Sequence, residues 1–228
     1  MLESKLESLK KTGLDKLNIS LDSLRPDRFG YITGKDRINS VISSIDAAEE
    51  MGFSPLKINV VIIRNINDDE LIDFTEFARN RNITVRFIEF MPFGNNEWKR
   101  DGFLSYREMK EIISSKYSLE KISEDESNVS KNYSIENFKG KIGFISSISD
   151  HFCGSCNRLR IDARGKMKLC LFSSGKGELD FKYLLNSNHT DDMICGEIEN
   201  ALKFKAEVHP AVEELIKLEE NKMLSIGG

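Results

Sequence analysis

Apolar positions along the first half of the chain switch between a helical period and strict alternation. Leu2, Leu6 and Leu9 share one helical face over residues 1–11, and Gly13 closes that segment. Lys16–Asp22 alternates and predicts a strand. Ile38, Val41, Ile42, Ile45 and Ala48 predict a helix over 36–51, and the β-branched run Lys57–Ile63 predicts a buried strand. Asn67, with Glu70 three residues on, predicts a capping box opening a helix that buries Leu71, Phe74, Phe77 and Ala78. Thr84–Phe90 is the next expected strand. Ser105 and Glu108 predict a second capping box, ahead of a helix with Met109, Ile112 and Ile113 on its apolar face. The order through residue 117 is α-β-α-β-α-β-α, which predicts an α/β fold with a parallel sheet or barrel and helices outside it.

After residue 117 the rhythm changes. Residues 118–137 are polar and read as a linker or mobile loop. Segments 141–149, 157–162 and 166–172 read as strands of a small sheet carrying the cysteines, with helices expected at 178–186, 196–204 and 209–220. The expected division is therefore 1–117 and 118–228.

Composition narrows the function classes. The chain has 228 residues, 39% hydrophobic and 31% charged, as in ordinary globular proteins. A net charge of −4 argues against nucleic acid or an anionic membrane as the main partner, since both favour a basic footprint. No apolar run is long enough for a membrane span, and the charged first residues lack a signal-peptide core. Four cysteines do not make a disulfide framework, so a reducing, cytoplasmic location is expected.

Three of those cysteines carry the chemistry. Cys153, Cys156 and Cys170 are spaced C-x2-C-x13-C. Three thiolates suit an iron–sulfur cluster with one iron left open, because a cubane normally takes four protein ligands. Zinc with His151 or Cys195 as fourth ligand fits the spacing equally. Arg158 and Arg160 follow closely; on a strand over 157–162 both would face one way and form a phosphate clamp. Lys57 and Arg86 lie near strand starts, while Ser20, Asp22, Glu89 and Met91 lie nearer the ends where barrels carry their sites. Cys195 otherwise reads as a buried hydrophobe, and His189 and His209 have no partner at motif spacing. The terminal Gly227-Gly228 is thin enough to thread into a pocket.

Together, Cys153-Gly-Ser-Cys-Asn-Arg-Leu-Arg160 with Cys170, Arg86-Phe-Ile-Glu-Phe-Met-Pro92, Asn18-Ile-Ser-Leu-Asp-Ser23 and the Ile226-Gly-Gly228 ending resemble the molybdenum cofactor biosynthesis protein A family. These are radical S-adenosylmethionine (SAM) enzymes that convert GTP to 3′,8-cyclo-7,8-dihydro-GTP. The resemblance implies a partial, incomplete TIM-type barrel followed by a C-terminal α+β cluster-binding region. It implies that Cys153, Cys156 and Cys170 hold a 4Fe–4S cluster whose open iron faces the purine. Arg158, Arg160, Lys57 and Arg86 would contact GTP, Ser20 and Met91 would touch SAM, and Gly227 and Gly228 would support catalysis.

One departure is expected to matter. The family's Cys-x3-Cys-x2-Cys motif, which binds the SAM-cleaving cluster, is absent from this sequence. The chain then reads as the C-terminal two-thirds of such an enzyme, truncated at its N-terminus. Alone it is expected to bind GTP without turning it over, and to associate with a second copy or with a chain supplying the missing half. The alternatives are a non-catalytic metal- and nucleotide-binding remnant, or a radical SAM enzyme acting on another substrate.

Overall fold

The computed structural model describes residues 2–93, 96–123, 128–172 and 175–217. The chain forms two compact units. One takes the chain up to Phe90 together with Arg100–Asp150; the other takes Met91–Lys99 and the chain from His151 on. No helix among the described residues is long and apolar enough to cross a membrane.

In the first unit, α1 (Leu6–Lys11) precedes β1 (Leu17–Ser20), α2 (Pro26–Thr33), α3 (Ile38–Glu50) and β2 (Leu56–Ile62). Next come α4 (Leu71–Phe77), β3 (Ile83–Glu89), α5 (Tyr106–Ser114), β4 (Glu120–Lys121), β5 (Lys131–Ser134) and β6 (Lys141–Ile145). They build one sheet in the order β1-β2-β3-β6-β5-β4, open at both edges. β1, β2, β3 and β6 run parallel, whereas β5 and β4 return antiparallel. The parallel strands follow from the helical crossovers between them.

Alternation gives the parallel strands two different faces. Ile19, Ile58, Val85 and Ile142 lie in one register row and are buried in the same core as Ile45, Phe74, Met109 and Ile113. The next row on the opposite face reads Ser20, Asn59, Arg86 and Gly143. β2 is thus buried on one side only, not on both as its β-branched run predicts.

Several expectations need correction. The Asn67–Glu70 capping box does not form. Asn67 instead accepts from Ile63 N and donates to the carbonyls of Asp22 and Val61, tying the ends of β1 and β2 together. Glu70 is fully buried and accepts from Ser23, Leu24 N and Arg28. By contrast, Ser105 and Glu108 form the expected box in full. Ile112 is exposed rather than part of the apolar face of α5. The segment 118–137 contains β4 and β5. Strand 141–145 belongs to the parallel sheet beside β3, because Ile142 and Phe144 continue its buried rows. Helix α2 is an addition; Pro26 at its start and Gly34 at its left-handed end (φ 66°) are its signals.

In the second unit, β7 (Arg160–Ile161), β8 (Lys166–Lys168) and β9 (Leu179–Asp180) form an antiparallel three-stranded sheet, followed by α6 (Phe181–Asn186), α7 (Asp191–Leu202) and α8 (Val212–Leu215). Met167, Leu169 and Ala201 form its small core with Leu179, Phe181 and Ile198 against them. The β7–β8 turn is fastened by Asp162, which accepts from Arg164 N and Lys166 N at 2.9 Å each. These bonds, that from Lys166 foremost, hold its carboxyl below the usual range.

Candidate metal and nucleotide site

The hairpin explains the cysteine spacing. Cys153 opens a single 3-10 turn, and Cys156 N donates to Cys153 O at 3.1 Å, so the two thiols leave one tight bend. The chain then extends through β7, turns at Asp162–Gly165 and returns along β8. Arg160 pairs with Lys168, so Cys170, two residues further, comes back alongside the segment that left Cys156. All three cysteines are free thiols and line one cavity of about 280 Å³, with Phe172, Lys205 and His209 also in its wall.

Cations surround the sulfurs. Lys205 Nζ lies 3.8 Å from Cys156 Sγ and donates to Arg158 O at 2.6 Å. Burial raises the Cys156 thiol, but hydrogen bonds from Arg158 and the charges of Arg158 and Lys205 outweigh it and bring the thiol below its ordinary value. Burial pushes the Cys153 thiol up, against a hydrogen bond from the His209 main-chain N–H. The Arg158 guanidinium sits 4.8 Å over the Phe152 ring. Arg158 precedes β7 rather than lying in it, so strand alternation does not pair it with Arg160. The two are brought together all the same: burial, then the charge of Arg158, lowers Arg160, while Cys170 and Cys156 oppose that.

Cys195 is exposed on α7, not buried as expected. His209, to which the sequence assigns no role, packs against His151 at 5.3 Å and Phe172 at 5.4 Å between ring centroids. Lys205 and His209 carry no motif that would have singled them out.

The first unit presents a different group. Arg86 donates from Nε to Asn59 Oδ1 at 2.8 Å and from Nη2 to Asn18 Oδ1 at 3.0 Å. Burial lowers its pKa, and no carboxylate among the described residues pairs with it. A half-buried guanidinium whose described partners are neutral oxygens is able to form a charge-assisted bond to an anion. Ser20 lies in the same register row, and Lys57 two rows before it, on the same face. Asp22 accepts from Val61 N at 2.9 Å, and burial raises its pKa against that bond. Glu89 is fully buried and accepts from the main-chain N–H groups of Tyr106, Ile148 and Ser149, which makes it a strap rather than a reactive acid. In the second unit, Met91 is half-buried and its carbonyl accepts from Asn96 at 2.7 Å. Gly227 and Gly228 lie outside the described residues.

Residues 83–211 match the Molybdenum Cofactor Synthesis C family, and residues 1–78 match the Radical SAM superfamily. The chain belongs to the molybdenum cofactor synthesis family. It is 40% identical to a GTP 3′,8-cyclase of Syntrophomonas wolfei over 97% of this chain and 68% of that protein. It is likewise 40% identical to the mitochondrial GTP 3′,8-cyclase of Arabidopsis thaliana, over all of this chain and 58% of that protein. Molybdenum cofactor biosynthesis protein 1 of Homo sapiens is 38% identical over 97% of this chain. The chain spans 58% of the Arabidopsis protein and 35% of the human one. Family membership matches the resemblance carried by the cysteine and arginine motifs, and the mixed α/β fold with open sheets accords with a radical-SAM-type barrel joined to a further α+β region.

Proposed function

We propose that this chain serves the cyclisation of GTP in molybdenum cofactor biosynthesis, with its second unit holding a 4Fe–4S cluster and gripping the nucleotide beside it. The single observation that carries this reading is the convergence of Cys153, Cys156 and Cys170 on one cavity flanked by Arg158, Arg160 and Lys205.

The donor set fits the cluster. All three donors are soft thiols, which iron–sulfur centres take. No group of three His, Cys, Asp or Glu among the described residues is gathered tightly enough for a single metal ion. Three thiols on one cavity wall would suit a multi-iron centre, in which each would bind a different iron. The nearby cations offset the negative charge of three thiolates and sulfide. When bound, the cluster supplies an open iron that can hold the purine as a Lewis acid.

The protein residues do the rest. Arg158 and Arg160 grip the triphosphate through charge-assisted bonds. Lys57 and Arg86 are assigned to GTP, Ser20 and Met91 to SAM, and Gly227 and Gly228 to support of catalysis, on the strength of the family motifs they match.

Anaerobic reconstitution followed by calorimetric titration with GTP tests the reading. Iron and sulfide are expected in place of zinc. Arg158→Ala is expected to weaken GTP binding by about 1.5–3 kcal/mol, as for one charge-assisted contact. Stoichiometric zinc with no iron uptake, or an unchanged affinity in the variant, overturns it.

A further inference from the structure

We propose that Asn18 and Asn59 are positioning residues: their amide oxygens aim the Arg86 guanidinium at a phosphate group of the nucleotide and leave its positive charge uncancelled. The proposal rests on the assignment of Arg86 to GTP made above.

Arg86 lies across the sheet. It leaves β3, donates from Nε to Asn59 on β2 at 2.8 Å, and reaches with Nη2 to Asn18 on β1 at 3.0 Å. Asn59 stands beside Arg86 in the register, and Asn18 lies on the same face, two residues before Ser20. An arginine offers no acceptor, so each amide turns its oxygen towards it. On the other side of the stem the register places Gly143 of β6. A Cβ there would stand 3.2 Å from Arg86 Cγ and 2.5 Å from Asn132 Oδ1, so the glycine keeps that strand clear of the stem.

The two bonds use two of the five N–H groups of the guanidinium. Both N–H groups of Nη1 and one of Nη2 have no partner among the described residues. Donors on neighbouring nitrogens match two oxygens of one phosphate.

The choice of amides matters as much as their place. A carboxylate in either position would hold the guanidinium as firmly but would also neutralise it. Burial already disfavours the charge. Neutral anchors fix the side chain beforehand and leave that penalty to be offset by an arriving anion.

Calorimetric titration of the anaerobically reconstituted protein with GTP, and separately with inorganic triphosphate, tests this, with urea midpoints measured on every variant. Asn18→Ala and Asn59→Ala are each expected to weaken both titrants about three- to ten-fold, as for one lost hydrogen bond. In an Arg86→Met background the same changes are expected to add almost nothing, because the asparagines act only through the arginine. Asn59→Asp keeps the shape of the side chain and serves even where alanine unfolds the protein. It is expected to leave the urea midpoint at or above that of the wild type while weakening both titrants at least as far as Asn59→Ala, a split that a merely structural residue would not produce. Unchanged binding in the asparagine variants overturns the proposal. So do losses that persist in the Arg86→Met background, which would put the amides on the ligand itself, and losses confined to GTP, which would put the arginine on the nucleoside. If Arg86→Met binds GTP like the wild type while Arg158→Ala does not, the proposal falls and the reading of the second unit stands. A wild type that binds no GTP overturns both.

Discussion

Lys205 reaches Cys156 and Arg158 at once: its ammonium stands 3.8 Å from the sulfur and gives a 2.6 Å bond to the carbonyl beside the guanidinium. One side chain therefore fixes a candidate metal ligand and the backbone of a candidate phosphate ligand.

A positive charge so near the proposed cluster would stabilise its more negative, reduced form. Lys205→Met is expected to shift the reduction potential of the reconstituted protein to more negative values. It is also expected to weaken GTP binding by releasing the segment that carries Arg158. A redox titration followed by calorimetry checks both, and an unmoved potential would show that the ammonium is screened from the metal.

Glu89 is expected to matter for stability rather than chemistry. It accepts from three main-chain N–H groups and from the Ser149 hydroxyl, and it is fully buried. Glu89→Gln turns an amide NH₂ towards some of these donors, at a cost of at least about 1–3 kcal/mol. Urea denaturation measures this, and a variant as stable as the wild type would contradict it.

Arg86 should behave in the opposite way. Burial disfavours its charge, and its two acceptors are neutral amides that water can satisfy when it is gone. Arg86→Met is expected to leave the denaturation midpoint unchanged or raise it. GTP affinity is expected to fall. A clear loss of stability would mean that the arginine is structural.

Glu108 links stability to acidity. The Ser105 hydroxyl, then the Ser105 main-chain N–H and Arg64, hold its carboxyl at about 2. A folded-state pKa below the unfolded one gives stabilisation that is full at neutral pH and is lost as pH falls from about 4.5 towards 2. Ser105→Ala removes the cap, costing about 1 kcal/mol, and should also flatten the decline with acid. Its denaturation midpoints against pH are expected to run closer to parallel with those of Glu108→Gln than the wild type does.

The two capping motifs show where local reading succeeds and where it stops. Glu108 gives one carboxylate oxygen to Ser105 and the other to Arg64, so its tertiary partner leaves the local pattern intact. Asn67 and Glu70 have the same spacing, yet the sheet brings Asp22, Ser23 and Arg28 within reach, and these capture both side chains. β1 to β3 and α3 to α5 were legible because each repeats its period over enough residues. β6 was misplaced because its partner β3 is distant in sequence, and no local signal names a distant partner. The cysteines and Arg158 were visible as a motif. Lys205 and His209 were not, because only the fold carries them to the thiols.

The short ribbon between Cys156 and Cys170 acts as a ruler. Side chains flip sides with every residue inside β7 and β8, so adding or deleting a single residue in either strand would shift where the third thiol returns against the other two. Length changes there are tolerable only in matched pairs across the two strands, or at the turn beyond Asp162. A linear gap of thirteen residues is in this way a constraint on strand pairing, and drift in its length should be as damaging as loss of a cysteine.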